Sequence, residues 1–190
     1  TDGLPAGYDR EILVPFCPES ALSGIGEHFA EGSFLFYRRS FSLPAGFCAG
    51  RVLLHVDGAD QTVDCFLNGQ CLGGHTGGYE AAQFELTSAL RAGENELVLR
   101  VTDDLRPRRL PYGKQVQTPG GMWYTPVSGL WQTVWLESVP DRYIRRVDFC
   151  CTLEEAVLDV GDESLSGTVT VAGPEGPFIA PLEGGRAVLR

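Results

Sequence analysis

The chain has 190 residues, 43% hydrophobic and 21% charged, with a formal net charge of −10. This is the composition of a globular protein long enough to bury a core, as one domain or as one domain plus part of another. The acidity argues against nucleic acid and anionic membranes as partners, no apolar run approaches the roughly 18 residues that cross a bilayer, and no basic-then-apolar leader opens the chain.

Residues 1–33 carry Gly and Pro at short intervals and little periodicity, so they read as an irregular arm. It holds a short extended piece at Glu11–Val14 and a rigid turn segment at Pro15–Ser20. From Phe34 the texture changes. Phe34–Leu43 is a predicted strand whose alternation puts Tyr37, Arg39, Phe41 and Leu43 on one face. If that face is the core, Arg39 must be buried and bonded to a carboxylate or to carbonyls. Arg51–Asp57 alternates as a second strand. Thr62–Asn68 and Gln70–Gly73 flank Asn68-Gly69, a strong signal for a two-residue hairpin. Residues 73–79 read as a glycine loop, Gln83–Leu86 as a short strand, Thr87–Leu90 as one helical turn and Glu96–Thr102 as a strand. A long loop, 103–122, leads to a strand at Leu130–Glu137.

After Pro140, strands are predicted at Tyr143–Cys151, Glu155–Val160, Gly167–Ala172 and Ala187–Leu189. No helical periodicity runs for a dozen residues, and short strands parted by turn signals mean a β-sandwich or barrel. A domain boundary is expected near 139–141. Residues 140–190 then form the opening strands of an immunoglobulin-like sandwich, which needs roughly 100 residues. Extra strands of the first sandwich are the alternative.

The six cysteines give no disulfide framework. Across the hairpin Leu67 faces Gln70, Phe66 faces Cys71 and Cys65 faces Leu72, so Cys65 and Cys71 point apart. Cys150 and Cys151 are adjacent in a strand and also point apart. Free, mostly buried thiols in a reducing, cytoplasmic compartment are expected. His28, His55 and His75 lack metal-ligand spacing, so no metal and no cofactor is expected. His55 reads as a satisfied sheet histidine, and His75 as a residue that could touch a sugar or a partner. Asp103-Asp104, Glu154-Glu155 and Asp162-Glu163 read as solvated surface.

The stretch Gly113–Glu137 holds all three tryptophans, Trp123, Trp131 and Trp135, and the only lysine, Lys114. It starts as a loop around Gly113, Pro119, Gly120 and Gly121 and ends in the strand Leu130–Glu137. That strand is apolar on both faces and needs a second cover. The arm is the favoured cover for Trp135, while the loop Trp123–Ser128 is expected to stay exposed. A Trp-Tyr pair on a loop is a common ligand-contacting device, and a packed aromatic core is the plainer alternative.

Phe36–Phe41, Arg51–Gly58, Val63–Gly69, His75–Tyr79 with Phe84–Thr87, Gly93–Leu97, Gly113–Gln115 and the run Trp123–Thr125 with Ser128–Glu137 follow one another in a familiar order. Together, over about residues 11–146, they resemble the N-terminal domain of glycoside hydrolase family 2, the β-galactosidases, β-glucuronidases and β-mannosidases. The resemblance implies an all-β fold: a galactose-binding-domain-like jelly roll at 1–139, then the immunoglobulin-like sandwich from 140. It also implies a parent enzyme that hydrolyses β-glycosides with retention, using two glutamates on a TIM barrel. Retention needs carboxyls about 5–5.5 Å apart, and a barrel needs roughly 250 residues. This chain therefore carries no catalytic residue and is expected to be inactive alone, framing the substrate pocket of the missing barrel and supporting oligomer contacts. A stand-alone carbohydrate-binding module and a purely structural domain are the alternatives.

Some family members place an acidic residue just before the position of Trp123 and use it on the sugar. Here Thr118–Met122 supplies none. Trp123, Tyr124 and Ser128 remain the substrate-binding candidates, with Lys114 and Gln115 behind them, because rings cover sugar C–H faces and hydroxyls bind sugar hydroxyls.

Overall fold

The computed structural model describes residues 3–104, 110–174 and 176–189. Residues 105–109 of the expected long loop lie outside them. The chain divides into two compact units, Thr1–Asp141 and Arg142–Arg190.

The first unit is a β-sandwich. One sheet has the order β1-β7-β4-β5, from β1 (Phe34–Ser42), β7 (Glu94–Thr102), β4 (Thr62–Leu67) and β5 (Gln70–Thr76), all antiparallel neighbours. The other has the order β6-β2-β9, from β6 (Ala82–Glu85), β2 (Arg51–Val56) and β9 (Val134–Val139). A short pair, β3 (Ala59–Asp60) with β8 (Gly129–Leu130), lies beside them. Alternation explains the core. Val52, Leu54 and Val56 of β2 cluster with Val63, Cys65 and Leu67 of β4 and Leu97, Leu99 and Val101 of β7. From the arm, Val14 packs against this core. Each buried aliphatic side chain is worth roughly 1.5–3 kcal/mol, so this shared face is what joins the two sheets.

Asn68 and Gly69 turn the β4–β5 hairpin with positive φ at both residues (53° and 82°), the geometry an Asn-Gly pair supplies. Leu67 faces Gln70 and Phe66 faces Cys71, as the turn dictates. A bulge between Cys65 and Phe66 then sets Cys65 against Gly73 instead of Leu72, and β5 runs on to Thr76 through much of the expected glycine loop. Those glycines are tolerated because β5 is an edge strand, paired on one side only.

Two expectations fail for identifiable reasons. Arg39 is exposed although it alternates with Tyr37 and Phe41. β1 is the edge of its sheet, so a long guanidinium leaves sideways into water. The strand expected at Leu130–Glu137 is two strands. Between them Trp131 N and Gln132 N both donate to Gly58 O (3.2 and 3.4 Å), and Thr133 O accepts from Asp57 N (3.0 Å). Two residues thus oppose one, a bulge, and the face assignment drawn from simple alternation ends there. Gly58 permits it, since a Cβ would meet Trp131 and Gln132 at 2.9 Å. In the arm, the short extended piece Glu11–Val14 pairs into no strand, and Ser20 caps a 3-10 turn at Ala21–Ser23.

The second unit has a three-stranded sheet, β10 (Asp148–Cys151), β11 (Ala156–Asp159) and β14 (Arg186–Leu189), in that order. A two-stranded ribbon joins β12 (Gly167–Gly173) to β13 (Gly176–Leu182). Leu158, Val160, Ala180, Leu182, Ala187 and Leu189 form its core. β10 begins five residues later than the sequence suggests, and β13 went unseen because Pro177 and Pro181 disguise it. In a two-stranded ribbon every strand is an edge, where proline is allowed. All six cysteines are unpaired, but Cys48, Cys71, Cys150 and Cys151 are exposed, and of the six only Cys65 is buried. The expectation of mostly buried thiols is wrong.

Candidate functional site

The loop that follows β7 is braced at its base and bare at its tip. Its two arms meet in a parallel bridge between Gln115 and Tyr124. Lys114 O accepts from Tyr124 N (3.0 Å), and Tyr124 O accepts from Val116 N (3.2 Å). Lys114 sits at φ 60°, a left-handed conformation uncommon for a side-chain-bearing residue. A turn closes the tip, with Trp123 N donating to Gly120 O (3.1 Å).

Gln115 is buried, 6% exposed, and both ends of its amide are used. Its oxygen accepts from Val127 N (2.5 Å), and its nitrogen donates to the carboxylate of Asp60. Asp60 is itself buried on β3. Burial pushes its pKa up to about 6, against the opposing pull of the Gln115 hydrogen bond. Ser128 is held from the arm: its N and Oγ donate to the two carboxylate oxygens of Glu19 (3.2 and 2.6 Å). Next to it Gly129, at φ 77°, lies so close to the Tyr37 hydroxyl that no side chain would fit, and that hydroxyl accepts from Leu130 N (3.3 Å). Burial drives the Tyr37 pKa well above the usual phenol value.

Above these braces the tip is open. Met122, Trp123 and Tyr124 are 62%, 41% and 66% exposed. The structure therefore separates the five residues singled out by the sequence. Trp123 and Tyr124 offer rings to solvent, and Lys114 is exposed beside them. Gln115 and Ser128 spend their polar atoms holding the loop. Trp131 is half-buried, with Nε1 donating to Gly78 O (2.9 Å) and its ring edge-on to Tyr79 at 5.9 Å. The arm does not bury Trp135, which is 40% exposed and stacked on His55. His55 is the satisfied sheet histidine expected, with Nε2 2.9 Å from Glu137. His75 Nε2 is buried without a hydrogen-bond partner among the described residues.

Sequence reasoning missed an acidic cleft lined by Glu19, Glu31, Asp103, Gln117, Pro126 and Ser128. Asp103, expected to be solvated, is half-buried. Burial first, then the nearby charges of Asp60, Glu31, Asp104 and Glu19, raises its pKa to about 7. The lining carboxylates come from the arm and from the residue after β7, so no local pattern announces them. Among the described residues no group of His, Cys, Asp and Glu is placed to hold a metal ion.

Comparison with known proteins bears on this geometry. Residues 27–140 match the family described as "Glycosyl hydrolases family 2, sugar binding domain". A β-galactosidase of Thermoanaerobacter pseudethanolicus is 28% identical over 154 residues, covering 78% of this chain and 19% of that protein. The β-glucuronidase of Ruminococcus gnavus superposes with a TM-score of 0.69 at 21% identity, over 98% of this chain and 33% of the other. That of Bifidobacterium dentium, complexed with coumarin-3-O-glucuronide, superposes with a TM-score of 0.63 at 23% identity, over 93% of this chain and 36% of the other. The chain thus spans about a fifth of the curated relative and about a third of these structures.

Proposed function

The chain belongs to glycosyl hydrolase family 2 through its sugar binding domain, and we propose that it serves as the non-catalytic N-terminal part of a retaining β-glycosidase of the β-galactosidase or β-glucuronidase type. The observation that carries this reading is the braced loop with an uncovered tip. A protein that only needed a folded sandwich would not hold Trp123 and Tyr124 in water on a base fixed by Gln115, Asp60 and Glu19. Rigid rings kept exposed are preorganised to be covered by something else. In this reading the cover is the rim of a barrel-borne pocket and the glycoside within it. Trp123 and Tyr124 line the pocket mouth, Lys114 stands beside them, and Gln115 and Ser128 hold the loop in place.

Chemistry is assigned elsewhere. In this reading the acidic cleft braces the loop instead of acting on a glycoside, since Glu19 is engaged by both Ser128 N and Ser128 Oγ. The domain assignment follows the same reading: residues 1–139 are the jelly roll, and residues 140–190 open an immunoglobulin-like sandwich. Six unpaired cysteines, several of them exposed, support a reducing, cytoplasmic setting.

The test uses the complete reading frame that contains this chain. The full protein should hydrolyse nitrophenyl β-galactoside or β-glucuronide, while residues 1–190 alone should not. Replacing both Trp123 and Tyr124 by Ala in the full protein should lower kcat/KM on the order of tenfold at unchanged melting temperature, a loss of stacking contacts worth roughly 1.4 kcal/mol. Unchanged kcat/KM would remove the loop from the pocket, and turnover by residues 1–190 alone would refute the whole reading.

A further inference from the structure

A second aromatic surface lies on the outer face of the β6-β2-β9 sheet. Val52, Leu54 and Val56 point into the core, so Arg51, Leu53 and His55 lie on the opposite face, where Leu53 is itself covered (2% exposed). In register, Trp135 of β9 lies opposite His55, and Glu137 lies opposite Leu53. The His55 and Trp135 rings stack with centroids 4.0 Å apart and planes 9° from parallel. Each ring is also held by a carboxylate. Trp135 Nε1 donates to Asp57 (3.0 Å to Oδ1, 3.2 Å to Oδ2), and His55 Nε2 lies 2.9 Å from Glu137 Oε2.

These bonds fix the indole without hiding it, for Trp135 stays 40% exposed. β9 is the last strand of its sheet, so among the described residues no strand flanks Trp135 on the side away from His55. An apolar ring surface is kept rigid and open, with acceptor-only oxygens on either side. Glu85, paired with Arg51 at 3.0 Å, adds a further carboxylate to the same face.

We propose that Trp135, backed by His55 and flanked by Asp57 and Glu137, is a binding platform for a neutral pyranose, separate from the loop of Trp123. The C–H face of the sugar stacks on the indole, whose ordering entropy is already spent in the free protein. Vicinal hydroxyls donate to the carboxylates, which accept and cannot donate. The same carboxylates repel a uronate, so the platform selects neutral sugars by charge. This inference does not depend on the loop's role at a catalytic pocket.

The test is nitrogen–proton correlation spectra of the 190-residue chain, titrated separately with cellobiose, lactose and glucuronate. The Trp135 indole signal is identified by its loss in Trp135→Phe. Cellobiose or lactose should shift that signal and the backbone amides of His55 and Asp57 saturably, with a dissociation constant of millimolar order. Glucuronate should bind at least severalfold more weakly. Trp135→Ala should abolish the amide shifts while the rest of the spectrum is kept, and Trp123→Ala should leave them unchanged. His55→Ala, which keeps the indole but removes its backing, should weaken binding severalfold and provides a second reading if Trp135→Ala does not fold. The proposal is overturned if neutral sugars give no saturable shift, if the shifts persist without Trp135, or if glucuronate binds as well. It also falls if the signals broaden only with protein concentration, which would make the face a self-association surface.

Discussion

Gln115→Ala should act through Asp60 and should therefore be pH-dependent. Gln115 joins three parts: the loop's first arm, Val127 at its far end, and the buried carboxylate on β3. Losing its acceptor from Val127 N costs about 1 kcal/mol, and losing its donor to an ionised carboxylate costs about 1.5–3 kcal/mol. The sum at pH 7.5, where Asp60 is ionised, is about 3 kcal/mol. Asp60 titrates near pH 6, so at pH 5 it is mostly neutral in the wild type and needs the amide less. There the loss should shrink to about 1–2 kcal/mol. Urea unfolding read by tryptophan fluorescence is the assay. All three tryptophans lie in the first unit, so the signal reports that unit. Gln115→Glu should be worse than Ala at pH 7.5, because it sets a second carboxylate against Asp60. Equal losses at the two pH values, or a loss below about 1 kcal/mol at pH 7.5, would refute the bracing role.

Asn95 is buried, and its side chain makes four hydrogen bonds: it accepts from Arg91 N and Asn68 Nδ2 and donates to Arg91 O and Gly93 O, at 2.8–3.1 Å. Asn95→Ala should cost about 2–4 kcal/mol, checked by the shift of the urea midpoint; a loss under about 1 kcal/mol would mean that water replaces the side chain. Asp103 binds its proton more tightly folded than unfolded, with a pKa of about 7 against the ordinary 3.8. Its favourable contribution is complete below the unfolded value and is lost as pH rises through about 7. Stability of the first unit should therefore fall between pH 5 and 8, and Asp103→Asn should flatten that fall by about 1 kcal/mol after allowance for its partial exposure. An unchanged slope in the variant would show that other groups set it.

What could be read from the sequence followed from strictly local physics. The Asn68-Gly69 turn fixes the first two pairs of its hairpin, because turn geometry acts over neighbouring residues. β2 and β7 were visible because their alternation matches one buried face. What stayed hidden depends on neighbours distant in the chain. Arg39 was misplaced because its pattern is that of a core strand, and only the sheet order makes β1 an edge. The break after Leu130 depends on Gly58, whose carbonyl draws in two successive amides from β8's far side. Gln115 and Ser128 were candidates by residue type, yet the partners that occupy them, Asp60 and Glu19, come from β3 and from the arm. A hydroxyl or amide in a loop shows its chemistry in the sequence, while its availability is decided by the fold.

The tip of the loop carries no carboxylate of its own. The resemblance drawn from the sequence implies that some family members carry an acidic residue just before the tryptophan, and this chain has Gly120, Gly121 and Met122 there. The acidic groups of this region are instead gathered below the loop, where Glu19 holds Ser128 and Asp60 holds Gln115. Glu19, with one oxygen on Ser128 N and the other on Ser128 Oγ, positions the base of the loop. The tip is left with rings and a methionine, surfaces that recognise shape and C–H faces more than a particular hydroxyl pattern. Under the proposed function, discrimination between one β-glycoside and another then comes from outside this loop. Restoring the acid tests this directly: Gly121→Asp in the full protein should change the ratio of kcat/KM between galactoside and glucuronide by several-fold, with the uronate disfavoured by the added charge. Because Gly121 sits at φ 60°, Gly121→Asn serves as the control for backbone strain, and an identical ratio in the Asp and Asn variants would show that charge at the tip has no part in choosing the sugar.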